Sequence, residues 1–225
     1  MGKTDKKDIA YSIAKVGLSS IPIIGATASE LFQLIVTPPI EKRRNQWIND
    51  IGEKLKFLEE TQKINISELR ENDIFIDVVI QTTQNAIKTS ELEKLRLYRN
   101  ALINTAIGEA PEQSEIHIFI NLLADFTTWH IRILKFFDDP QKWFDDNKIQ
   151  APNYYTGNLS GILYNAYPEL KEKDEFCSLV WDDLYRVGFH RSGGFKGMMT
   201  GSSLLNSITT DFGKRFLDFI TEYEP

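Results

Sequence analysis

The chain has 225 residues, of which 42% are hydrophobic and 26% charged, enough to bury one sizeable core or two small ones and too apolar for a disordered protein. Its net charge of -6 argues against non-specific binding to polyanions, and the excess is uneven: residues 1–112 are nearly neutral, while residues 113–225 carry 11 basic against 16 acidic side chains. One cysteine, Cys177 in the apolar FCSLVW, cannot form an intrachain disulfide, so a reducing cytoplasm is the expected setting and a buried thiol the expected role.

Lys3, Lys6 and Lys7 precede an apolar run, but Asp5, Asp8 and Lys15 interrupt the pattern of a secretion signal. Val16 to Val36 holds one ionisable side chain, Glu30, and is long enough to cross a bilayer as a helix. Gly17, Pro22 and Gly25 argue against that and predict two short elements joined at Ile21-Pro22-Ile23-Ile24-Gly25. The second of these, Ala26 to Val36, is expected to pack Leu31, Leu34 and Ile35 inward. An interfacial alternative stays open, in which Ile21, Ile23, Ile24, Leu31 and Phe32 touch lipid while Arg43 and Arg44 meet the headgroups.

Pro38 and Pro39 mark the start of the next helix, Pro39 to about Glu60, with its apolar stripe at Ile40, Trp47, Ile48, Ile51, Leu55 and Leu58. A helix ending near Ile87 begins at Ser67 or Asn72, with Asn72 as cap or kink. Ser90-Glu91-Leu92-Glu93 has the pattern of a capping box and opens a helix that Gly108 and Pro111 close. Glu115 to Phe137 is apolar on nearly every side, which predicts one buried central helix stopped by Asp138-Asp139-Pro140.

Beyond it, Asn158 caps a helix from Leu159 to Ala166, and an acidic helix runs from Asp174 to Val187 up to Gly188. Phe189 to Ser203, rich in glycine, suits a short hairpin or flexible wing, and Thr209 or Thr210 caps a final helix. These elements predict a mostly α chain. An amino-terminal helical bundle (residues 1–112) shares a long central helix with a winged-helix-like domain (residues 113–225).

The stretches TTWHIRILKFFDDP, GILYNAYPEL, VWDDLYRVGF and SITTDFGKRFLDFI, in this order, resemble the carboxy-terminal part of bacterial helical proteins that end in a winged helix. The whole chain distantly resembles the abortive-infection alpha type of phage-defence protein. That resemblance implies a helical amino-terminal part and a role in bacterial stress or phage defence; it brings no catalytic residue.

The chemistry in the sequence is sparse. His117, His130 and His190 do not share a helical zinc spacing, and no phosphate-loop, dinucleotide or hydrolase motif is present. Phe137-Asp138-Asp139 and Phe144-Asp145-Asp146 read as helix-end aspartates rather than cation ligands. No cofactor and no metal site is therefore expected, and no enzymatic role.

In a winged helix the acidic segment would be the recognition helix, yet Asp174, Glu175, Asp182 and Asp183 oppose only Lys173 and Arg186, the wrong sign for phosphate. A protein partner is the better expectation, nucleic acid is disfavoured, and a homo-oligomer stays open. The candidate contact residues are Asp174, Asp182, Asp183, Arg186, His190, Arg191, Phe195 and Lys196. If phosphate binds anywhere, it is at His190, Arg191 and Lys196 in the glycine-rich loop.

Overall fold

The structure is a computed structural model, and it describes residues 27–223, with no side-chain placement for Ala28 and Leu31. The bend at Ile21, Ile23 and Ile24 and the side chain of Leu31 lie outside the described residues. The chain divides into two units, Met1–Arg43 and Arg44–Pro225.

Most described residues are helical. In chain order the elements are α1 (Ala28–Glu60), α2 (Ile66–Leu69), α3 (Asp73–Lys88), α4 (Leu92–Ala106), α5 (Gln113–Asp125), α6 (Thr128–Asp138), α7 (Pro140–Asp146), β1 (Thr156–Gly157), α8 (Leu159–Ala166), α9 (Asp174–Arg186), β2 (Met199–Thr200) and α10 (Asp211–Ile220). Short 3₁₀ turns follow α8 and β2. No described helix is long and apolar enough to cross a membrane.

Three boundaries follow directly from the caps. Asn72 accepts from the Phe75 N–H at 3.1 Å, Asn158 from Gly161 at 2.7 Å and Thr210 from Gly213 at 3.0 Å, each satisfying a donor that has no partner within the first turn. Other boundaries depart from the sequence reading. Helix α1 does not begin at Pro39; it runs through Pro38 and Pro39. Proline φ is already helical, and the helix is exposed around both rings, so water can reach the carbonyls that lose a donor. Leu34 and Ile35, expected to pack inward, are exposed.

Ser90 does not cap α4 either. Glu91 takes the cap position without a side-chain bond, and Glu93 is drawn to Arg132 of α6, whose Nε lies 3.1 Å from both carboxylate oxygens.

The long central helix from Glu115 to Phe137 is two helices. The chain leaves helical geometry at Phe126 (φ -72, ψ 142), and Thr127 with His130 forms a capping box that starts α6. An apolar-all-round segment needs cover on every side, and the turn lets its halves find different neighbours: α5 packs on α3 and α4, α6 on α9 and α10.

A single hydrophobic cluster runs from Trp47 to Ile220 and crosses the expected division between residues 112 and 113. Phe119 of α5 sits in its centre, with ring centroids of Phe212, Phe216, Phe219 and Phe189 at 5.0, 5.3, 6.0 and 6.1 Å. Two of these pairs, with Phe189 and Phe216, are edge-on, an arrangement worth about 0.5–1.5 kcal/mol per pair beyond burial.

The carboxy-terminal end of α10 is held from α4. Asn100 Nδ2 donates to the Ile220 carbonyl at 3.0 Å, and Asn104 Nδ2 reaches the carbonyls of Asp218, Phe219 and Thr221 at 3.2, 2.9 and 2.9 Å. These amides satisfy carbonyls that the end of a helix leaves without donors.

Candidate functional site

Helix α9 is amphipathic at helical spacing. Cys177, Val180, Trp181 and Leu184 face the core, while Glu175, Leu179, Asp182 and Arg186 face outward. Asp174 and Glu175 stand in the first turn and Arg186 in the last, each matched to the helix dipole. The helix ends at Gly188, whose φ of +78° only glycine adopts at little cost, and the Phe189 N–H bonds back to the Leu184 carbonyl at 3.0 Å.

The loop after α9 is not a hairpin. β2 pairs with β1, antiparallel, with Thr156 opposite Thr200 and Gly157 opposite Met199, and His190 bridges Thr209. Phe195 explains the path: it stacks on Trp181 at 4.9 Å and draws the glycine-rich run into the core, and the Ser160 N–H bonds its carbonyl at 3.0 Å. At the far end a side chain on Gly201 would collide with the Tyr154 carbonyl, since its Cβ would lie 1.6 Å away.

The candidate residues separate into three groups. His190 and Phe195 are interior. The His190 ring lies 4.0 Å from the Trp181 ring, and its Nε2 donates to the Trp181 carbonyl at 3.0 Å, so this ring reaches no partner while the loop is folded. Burial pushes the His190 pKa down, its bond to the Trp181 carbonyl only partly opposing this.

Asp174, Asp183, Arg191 and Lys196 are surface or half-buried groups that the fold pairs off. Lys196 Nζ bonds Asp174, which also accepts from the Tyr164 hydroxyl at 2.8 Å; Lys196 and then Tyr164 hold the Asp174 carboxyl below the usual carboxylate range. Burial above all, and then the hydrogen bond that its hydroxyl donates to Asp174, push the Tyr164 pKa up. Arg191 lies 3.9 Å from Asp211. Asp183 takes Arg186 at 2.6 Å and His130 Nε2 at 3.4 Å.

Asp182 and Arg186 remain outward-facing, and Arg186 shares its charge with Asp183. Between them and Glu175 stands Leu179, 59% exposed, and Tyr185 on the same helix is exposed as well. The sequence reading passed over Leu179 and Tyr185; taking Cys177, Val180, Trp181 and Leu184 as the inward set would have left both outside.

His130 is a satisfied core histidine. Its Nδ1 accepts from the Thr127 N–H at 3.1 Å, which leaves the proton on Nε2 for Asp183, and the ring stacks on Phe126 at 4.6 Å. Burial lowers its pKa and the Asp183 contact opposes that shift. Cys177 is buried, with Sγ 3.8 Å from the Leu170 carbonyl, and burial raises its pKa, so the thiol is held away from its nucleophilic form. Asp139 caps α7 by accepting from the Lys142 N–H at 2.9 Å, the helix-end role read for it. Among the described residues no three His, Cys, Asp or Glu side chains gather as a metal site would require. No protein family matches this chain, and neither a curated protein nor a solved structure matches it.

Proposed function

We propose that this chain is a non-enzymatic interaction protein, an adaptor or effector of bacterial stress response or phage defence, and that it binds a protein partner through the outer face of α9. One observation carries the reading: Leu179 is 59% exposed in the middle of a helix face otherwise made of Glu175, Asp182 and Arg186. An exposed apolar anchor ringed by charge is the composition of a protein contact, with the exposed Tyr185 on the same helix. The physiological setting rests on the resemblance to abortive-infection proteins.

The carboxy-terminal part is read as winged-helix-like, a reading supported by β1 standing before α8 and α9 and by β2 returning to pair with β1. A nucleic-acid partner fits this surface poorly. The helix that would enter the groove is acidic, and the cations of the following loop, Arg191 and Lys196, each lie against a carboxylate that a phosphate would have to displace.

The test is a photo-crosslinking amino acid placed at position 179 of the full chain in cells, beside the same group at Gln141, an exposed position on α7. A discrete adduct with a second protein from position 179 alone is expected. Adducts from neither position, or the same adducts from both, would overturn the reading.

A further inference from the structure

We propose that the first part of α1 is a second, independent contact surface, and that its occupant is the headgroup region of an anionic lipid bilayer. In Leu31 to Ile40 only Gln33 and Thr37 are polar, and a helix apolar on almost every side is normally covered. Here Phe32 and Ile35 are 65% and 71% exposed, and Leu34, Pro39 and Ile40 are exposed with them. Phe32, Ile35, Pro39 and Lys42 stand at i, i+3, i+7 and i+10, so one face runs from an apolar patch into a cation. The sequence continues with Arg43 and Arg44, and Glu41 is the single acidic residue among them. Apolar side chains bordered by Lys and Arg match a bilayer surface on both counts, the acyl boundary taking the rings and aliphatic groups and anionic headgroups taking the cations.

The prolines set the depth. Pro38 and Pro39 have no N–H, which leaves the carbonyls of Leu34 and Ile35 without an intrahelical donor. In hydrocarbon those carbonyls would have no partner, whereas at headgroup level water supplies one. Ten residues of helix span about 15 Å, half of the ~30 Å hydrocarbon core, and no described helix is long and apolar enough to cross it. The helix therefore lies along the interface.

The experiment is flotation of the full chain with vesicles of phosphatidylcholine and phosphatidylserine, beside vesicles of phosphatidylcholine alone. The parent chain should float with the anionic vesicles. Phe32→Ser with Ile35→Ser should cut the bound fraction by about tenfold or more, because two exposed apolar groups lose their lipid contact. Lys42→Glu should weaken binding several-fold on the anionic vesicles alone.

Three results would overturn the proposal. One is a monodisperse parent that does not float. Another is a double variant that floats as well as the parent, which would move the contact outside Leu31–Ile40. The third is a homodimer that the double variant converts to monomer, which would make a second copy the occupant. A denaturation midpoint unchanged in the double variant verifies that its fold is intact; should it shift, the Lys42→Glu comparison between the two vesicle types still decides. Failure here leaves the α9 reading standing, since the crosslink from position 179 does not involve lipid.

Discussion

Helix α1 contains two adjacent prolines and does not break, while the stretch from Gln113 to Asp138 contains none and breaks at Phe126. Proline alone does not decide where a helix ends. In α1 no described residue competes for the backbone at the prolines: the surroundings are exposed, so water can take the lost bonds. At Phe126 three partners reward the turn. Thr127 and His130 cap the new helix, Phe126 stacks on His130, and the redirected α6 reaches α9 and α10. A helix stops where stopping supplies more contacts than continuing.

The largest test of that contrast removes the partner that does most at the break. His130→Ala deletes the cap acceptor, the stack on Phe126 and the bond to Asp183 from a buried site, and should destabilise the full chain by roughly 3 kcal/mol in chemical denaturation. A loss under about 1 kcal/mol would mean that the turn is fixed by packing alone.

Acid should act on the same place. His130 and His190 both have folded pKa values depressed by burial below the ordinary 6.5, so between those values and 6.5 the unfolded chain binds more protons. Stability is therefore fully present above pH 6.5 and falls as pH drops through the depressed values. Protonated Nδ1 can no longer accept from the Thr127 N–H, so α6 loses its cap as well. Asp138, whose pKa burial raises above 3.8, acts in the opposite sense from a window that opens at 3.8. Denaturation midpoints measured from pH 7.5 down to about 5 should decline, and a flat profile would contradict neutral, buried imidazoles.

The smallest effect is expected at the prolines. Pro38→Ala with Pro39→Ala restores two donors at exposed positions and should change global stability by less than about 0.5 kcal/mol, with a small gain in helical circular dichroism. A large gain in stability would show that the prolines strain α1.

This contrast also explains what the sequence disclosed. Asn72, Asn158 and Thr210 were legible because each cap acts on its own first turn. Ser90-Glu91-Leu92-Glu93 carries the right letters and fails, because Arg132, 39 positions away, takes Glu93. Thr127-Thr-Trp-His130 succeeds with a histidine in the place usually held by Glu or Gln, a substitution that works only while Nδ1 is unprotonated. In the candidate site the acidic character of α9 was plain from its composition. The pairing of Asp174 with Lys196 across 22 residues, and the turning of Phe195 and His190 into the core, depend on Trp181 lying beneath the loop, which no local pattern encodes.

The amides of Asn100 and Asn104 bind the last turn of α10 across 114 to 120 residues of chain. Phe216 and Phe219 arrive at Phe119 on the same helix. During synthesis, α4 and α5 therefore leave the ribosome with an aromatic centre still uncovered, and it stays so until Ile220 has emerged. Nascent chains stalled short of that point should be chaperone clients, and release of the chaperone should coincide with the docking of α10.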